Sequence, residues 1–503
     1  MTAELPSGDA SLVLRQAGVP QESITAVGGG AVGVRCGESG FRVLAWSPPG
    51  ASLPGGIGGD RTELGGGTLV DGKADRGNAA ALRKLVPWLR PTLIGGATSA
   101  GVGDRLGIAT PGHVRAFRAN PGVMPVLAQQ SARELARTGR SFQDVIDGAT
   151  FGALAAGWRS GFGADADHLK SIADIDAGVA AGCTMFTADP IELVPNLPAD
   201  APGEAIDSAF SAVPWARLED DAAAFTTRYP VRLDLDSGPL ELPPAALRAA
   251  AARFGAAVVQ VTDMYRHLAA IRAPGEFEFE VAVDEIEYRT TAIDHVYLAT
   301  ELRRLGVDWV SFAPRFVGEF EKGIDYLGDR VEFAADVEVH AAIARRFGDY
   351  KLSVHSGSDK FSIYDDVALA TRGRVHLKTS GTSYLVALQT IAAVDSELMR
   401  RIWRVALEAY TTARATYHVS ATAQDAPSPD AATPTALAGL LTDANTREIL
   451  HVTYGAVLHG EAPGGGQLGD DLRAAVWTHR EAYWSNLTTH IGRHLRPFAT
   501  AAR

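Results

Sequence analysis

The run Phe333–Lys360, FAADVEVHAAIARRFGDYKLSVHSGSDK, decides how the chain folds. Its first part reads as a helix that closes on Arg345, Arg346 and Gly348. Basic residues in a last turn and a glycine just beyond are what the helix dipole and a left-handed C-cap favour. A few residues later Lys351–His355 reads as a short apolar strand, and it runs directly into Ser356, Gly357, Ser358, Asp359 and Lys360. A helix, a tight stop, a buried strand and a polar tip make the repeating unit of a parallel sheet.

The same unit recurs outward from there. Ala292–Gly306 also stops at glycine after two arginines and precedes Trp309–Ala313. Ser171–Gly182 opens with Ser171 and Asp174 at capping-box spacing and precedes Thr184–Ala188. The short apolar runs are Thr92–Gly96, Phe162–His168, Thr184–Ala188, Phe277–Val283, Trp309–Ala313, Lys351–His355, Arg374–Lys378 and Thr416–Ser420. Eight parallel strands with outer helices close into a (β/α)8, TIM-like barrel. An open dinucleotide-binding sheet would show a G-x-G-x-x-G turn leading into a helix, and Gly95–Gly107 lacks that spacing. The expectation is an α/β fold: a barrel domain over 86–503 with insertions, behind a small, glycine-rich, β-rich region over 1–85. One insertion of about 80 residues separates the third and fourth runs. A Pro/Ala-rich surface loop lies near 421–440.

The chain has 503 residues, 46% hydrophobic and 21% charged, an ordinary globular balance. Its 47 basic residues stand against 59 acidic ones, a net charge of −12, and there is no basic run. That argues against nucleic-acid or anionic-membrane partners. Cys36 and Cys183 are far apart and form neither a disulfide framework nor a Cys-x-x-Cys knuckle. With no signal peptide or apolar span visible, a reducing cytoplasm is expected. Oligomeric state is left open, a homo-oligomer included.

In barrels of this kind the chemistry sits at the C-terminal ends of the strands. Nearly every run here ends in ionisable groups: Asp104, Arg105 and His113; Asp165, Asp167, His168 and Lys170; Asp189; Asp284 and Glu285; Arg315, Glu319 and Lys322; His355 to Lys360; His376 and Lys378; His418. Taken singly, an Asp after a strand is more often a helix cap, and a lone His more often a hydrogen-bonded structural group. Together they argue for a polar pocket, because ionisable groups are seldom buried unpaired. Imidazoles and carboxylates without thiolates suit a divalent cation such as Zn, Mn, Co or Ni. His168, His355 and Glu319 are the expected ligands, with His376 in reserve and Asp359 a further candidate. Arg315, Lys322, Lys360 and Lys378, with Ser356 and Asp359 at the same tips, are expected to hold substrate.

Several segments are similar to the tagaturonate epimerase family, enzymes of hexuronate catabolism. They include GDRLGIATPGH (Gly103–His113), GFGADADHLK (Gly161–Lys170), APRFVGEFEKGIDYLGD (Ala313–Asp329), YKLSVHSGSDKFSIY (Tyr350–Tyr364) and VHLKTSGTSY (Val375–Tyr384). The resemblance spans most of the chain between residues 90 and 420. It implies a barrel and a metal-dependent epimerase acting on tagaturonate and fructuronate, or on the neutral sugars tagatose and fructose. By the same resemblance Asp104 and Glu285 take acid/base roles. Val386 and Gln389 depart from the family's usual Glu and Arg.

The inverted carbon of such a keto sugar lies β to the ketone, so its hydrogen is not acidic. Retro-aldol cleavage and re-addition is the expected route, and no nicotinamide is expected. A lysine Schiff base is a competing route. The alternatives to an epimerase are a class II-type metal-dependent aldolase and a non-catalytic sugar-binding protein.

Overall fold

The computed structural model describes residues 8–198, 201–459 and 467–501. The first seven residues of the N-terminal region, and residues 199–200, 460–466 and 502–503 of the expected barrel domain, therefore lie outside the described residues. Five antiparallel strands form the N-terminal sheet: β1 (Thr25–Val27), β2 (Gly30–Cys36), β3 (Phe41–Ser47), β4 (Asp60–Leu64) and β5 (Gly67–Lys73). Their order is β1-β2-β3-β5-β4.

Eight strands then close a parallel barrel: β6 (Ser99–Val102), β7 (Met124–Ser131), β8 (Gly163–Leu169), β9 (Met185–Ala188), β12 (Glu278–Ala282), β13 (Ser311–Ala313), β14 (Lys351–Val354) and β15 (Val375–Thr379). The ring is sealed by β15 on β6, where His376 faces Ser99 and Lys378 faces Gly101. Between β9 and β12 lies the long insertion. It carries the hairpin of β10 (Arg232–Leu235) and β11 (Gly238–Glu241) and a helix from Pro244 to Ile271. Among the described residues no helix is long and apolar enough to cross a membrane.

The helix signals behave as the residue chemistry requires. Ser171 accepts from the Asp174 N–H, and Thr291 and Asp294 form the same reciprocal cap. Gly182, Gly306 and Gly348 all take positive φ just past helix ends, which a side chain would resist.

Two of the eight expected strands are corrected. Thr92–Gly96 is not in the sheet; the Ile94 and Gly95 N–H groups cap the Glu278 carboxylate. The strand that follows, β6, is SAGV, and its small residues gave little hydrophobic signal. Thr416–Ser420 is not a strand either. Its backbone crosses toward the 314–328 loop, where the Ser420 N–H donates to Glu321. The ring is completed by β7, MPVLAQQS, whose glutamines masked a strand with seven of its eight residues buried. The expected loop near 421–440 is irregular with a single 3-10 turn, Ala423–Asp425, and one short α-helix, Pro434–Gly439.

Candidate active site

Side chains from four strands build the floor of the site. Asp165 and Asp167 on β8, Glu280 on β12, Thr187 on β9 and Lys378 on β15 point into the barrel. Lys378 Nζ lies 2.8 Å from Asp165, 2.6 Å from Asp167, 2.7 Å from Glu280 and 2.8 Å from the Thr187 hydroxyl. All are buried. Burial opposes the Lys378 charge, but the three carboxylates outweigh it and hold its pKa well above the ordinary value. Burial also raises Asp165, which settles at about 6 despite Lys378.

Above this floor stand two imidazoles. His168 ends β8 at φ +51°, a left-handed turn that breaks the strand's alternation. Its ring centroid is 4.9 Å from that of His355, at the end of β14. His168 Nδ1 is 3.2 Å from Asp189, and His355 Nε2 is 2.7 Å from Glu280. Burial works against protonation of His168, but the Asp167 charge and the Asp189 hydrogen bond raise it to about 10. Ligand atoms of Asp167, His168 and His355 all lie within 4.8 Å of one another, as do those of His168, Asp189 and Glu285. His355 Nδ1 and Asp284 Oδ1 approach to 2.9 Å, yet both are buried atoms without a well-directed hydrogen bond. This donor set, two imidazoles with carboxylates and no thiolate, fits a borderline divalent cation.

A cleft opens outward from the imidazoles and encloses about 730 Å³ in its outer part, including its mouth. Asp284, Glu285, Arg315, Glu319, Lys322, Ser356, Tyr417 and His418 form its walls with Arg133. Arg133 pairs with Glu285 at 2.7 Å. Burial would raise the Glu285 pKa, but His168, Arg133 and Lys322 hold it below the ordinary value.

A family model described as tagaturonate epimerase matches residues 61–498. The chain belongs to the tagaturonate epimerase family. It is thus a carbohydrate epimerase, an isomerase. The tagaturonate/fructuronate epimerase of Thermotoga maritima is 41% identical over 418 residues, covering 83% of this chain and 84% of that protein. The glycerol complex of fructuronate-tagaturonate epimerase UxaE from Cohnella laeviribosi superposes with a TM-score of 0.90 at 33% identity, over 97% of this chain and 98% of that one. The native structure of that enzyme gives 0.88 at 32% identity, over 97% and 99%.

The epimerase fold gathers some of the sequence-derived residues and separates others. His168, His355, Glu285, Arg315, Lys322, Ser356 and Lys378 all line the cleft or its floor. Glu319 does so too, but at the rim, 3.1 Å from both Arg315 and His418 and outside the imidazole cluster. His376 lies deeper in the barrel, its Nδ1 2.9 Å from Ser99 Oγ, because it precedes Lys378 by one full strand repeat.

Asp104 is spent on the backbone: its carboxylate accepts from the N–H groups of Leu106, Gly107 and Ala109 at 3.2, 2.7 and 2.8 Å. Asp359 faces away, toward His490 at 2.6 Å, Thr382 at 3.0 Å and Arg447 at 3.2 Å. Lys360 Nζ donates to the carbonyls of Glu321, Ile324 and Ser358, and burial lowers its pKa to about 8. It clamps the 314–328 loop and does not line the cleft.

Sequence reasoning did not select Asp167, Asp284, Arg133 or Tyr417. The first two stood among the strand-end acids, and the Asp165–Asp167 alternation was the available signal. Arg133 follows β7, which the apolar pattern did not reveal. Tyr417 lies in the segment misread as a strand.

Proposed function

We propose that this chain interconverts tagaturonate and fructuronate by retro-aldol cleavage and re-addition, with a divalent cation held by His168, His355 and Asp167. Support comes from the family and from one observation above all: two imidazoles and a carboxylate meet at the barrel mouth beside an ionised glutamate, Glu285. Asp189, which flanks His168, is the further oxygen donor. When bound, the cation would supply Lewis acidity to the substrate's ketone.

Glu285 is the base. It accepts the proton of the β-hydroxyl as the bond between the α- and β-carbons breaks. The β-carbon becomes an aldehyde and the bonding electrons stay on the ketone fragment. After the aldehyde presents its other face the bond reforms, and the proton returns to the new alkoxide. Asp284 supplies negative charge beside His355, and Arg133 keeps Glu285 in place and ionised. Asp104 and Asp359 have no part in this assignment, because their oxygens are committed elsewhere. The Schiff-base route is disfavoured: Lys378, ringed by three carboxylates, stays protonated, and a protonated amine is no nucleophile.

The test is incubation of the purified protein with tagaturonate, and in parallel with tagatose, with products resolved by chromatography. Fructuronate should form, a chelator should stop it, and added Zn, Mn, Co or Ni should restore it. Full turnover in an ion-free preparation would remove the cation from the scheme. Net release of three-carbon products would mark an aldolase instead.

A further inference from the structure

The cations of the cleft are not equivalent. Arg133 is bound to Glu285 at 2.7 Å, Arg315 to Glu319 at 3.1 Å and Arg105 to Glu134 at 2.6 Å. Lys378 is surrounded by Asp165, Asp167 and Glu280. Lys322 differs. It lines both the outer and the inner part of the cleft, and its ammonium donates to the neutral Ser356 hydroxyl. Among the described residues no carboxylate comes within ion-pair distance of it. Asp284 and Glu285 feel its charge without pairing with it.

The backbone that carries Lys322 is tied down. Glu321 and Ile324, on either side of it in the loop, give their carbonyls to the buried Lys360 ammonium at 2.8 and 2.5 Å. Gly323 takes φ +82° directly after it. A half-buried ammonium without a counter-ion is costly unless a ligand supplies the anion. Charge-assisted bonds to a carboxylate are roughly twice as strong as neutral ones.

We infer that Lys322, with the Ser356 hydroxyl beside it, is the anchor for the substrate's carboxylate, so that this cleft selects a hexuronate over a neutral ketohexose. The inference rests on the epimerase reading above and deepens it. In a retro-aldol step the carboxylate travels with the aldehyde fragment. An anchor at that end retains the fragment while its carbonyl turns. The Val386 and Gln389 departures do not bear on this. Val386 is buried and Gln389 exposed on the helix Thr382–Val394, and neither lines the cleft.

Wild type, Lys322→Met, Lys322→Arg and Ser356→Ala are compared by steady-state kinetics on tagaturonate and tagatose. Tagaturonate binding is measured by calorimetry, and circular dichroism checks folding. Lys322→Met should cut the kcat/KM preference for tagaturonate over tagatose by about tenfold or more, mostly through KM. Lys322→Arg should restore most of it, and Ser356→Ala should show a smaller loss in the same direction. Should Lys322→Met fail to fold, Lys322→Arg and Ser356→Ala still report the preference. An equal loss on both sugars, an unchanged preference, or a wild type that prefers tagatose overturns the inference while leaving the epimerase reading intact. Turnover of neither sugar sinks the epimerase reading. Calorimetry then still decides Lys322, because equal tagaturonate binding by wild type and Lys322→Met would refute the anchor.

Discussion

His168 and Ser356 carry φ values of +51° and +49°. A non-glycine residue in that region costs on the order of 1–3 kcal/mol and persists only where its surroundings impose it. Here both positions lie at strand tips and line the cleft. The side chains they present are the ones on which the proposed chemistry depends, and single substitutions test them. Replacing His355 with Ala should abolish bound metal by elemental analysis while circular dichroism stays native; unchanged metal content would remove His355 from the ligand set. Glu285→Gln keeps the size and removes the base. Its kcat should fall by about 10²–10⁴-fold with KM little altered, the range of one lost acid/base group. A mutant within threefold of wild type would shift the proton transfer to another group.

Elements set where those residues can reach. The strands alternate, so Asp165, Asp167, Glu280, His376 and Lys378 point inward in layers, and the last turn of each strand decides what meets the cleft. Asp104 shows how an element can claim a residue that looks catalytic. Its carboxylate caps the turn leading into the helix Thr110–Ala119. Leaving such N–H donors without an acceptor costs roughly 1–3 kcal/mol. Asp104→Ala should therefore lower the melting temperature by a few degrees and leave kcat within a few fold of wild type. A collapse of kcat with unchanged stability would return Asp104 to the mechanism. The helix Arg480–Ala501 plays a similar supporting part. His490 donates to the Asp359 carboxylate, and His494 Nε2 accepts from the Asp359 N–H. The chain's last helix thereby fixes the loop that follows His355.

At the scale of the whole molecule, the C-terminal helices and the 314–328 loop meet over the barrel mouth. Glu321 accepts from Ser420, and Glu448 accepts from the Ala421 N–H at 2.9 Å. Burial, together with the neighbouring Glu321 carboxyl, pushes Glu448 from its ordinary 4.5 up to about 8. The native state thus keeps a proton that the unfolded chain releases near 4.5. Stability from this group is full below that pH, falls as pH rises toward 8, and then levels. Glu448→Gln should flatten the decline in melting temperature across that window. A mutant profile parallel to wild type would show that the pair does not carry a shared proton. Burial opposes the Glu321 charge, but its bonds from Ser420 help hold its pKa low, so it contributes the opposite trend only at more acid pH.

Much of the architecture was readable from residue order because it is written locally. Capping boxes at Ser171 and Thr291, glycines at 182, 306 and 348, and apolar runs after them depend on neighbours a few positions away. These signals implied the parallel barrel and the tips at His168 and His355. Strands β6 and β7 escaped because a barrel buries a strand by closure, whatever its hydrophobicity, so SAGV and MPVLAQQS needed no apolar run. The division of labour among like residues was decided only by the folded chain. Asp104 and Asp167 are alike in sequence, as are Lys322, Lys360 and Lys378. Which carboxylates converge on an ammonium, which ammonium is ringed by acids and which is left facing the cleft depends on partners tens to hundreds of positions distant, as Lys378 and Asp165 are. Electrostatic pairing at that separation is a property of the tertiary structure.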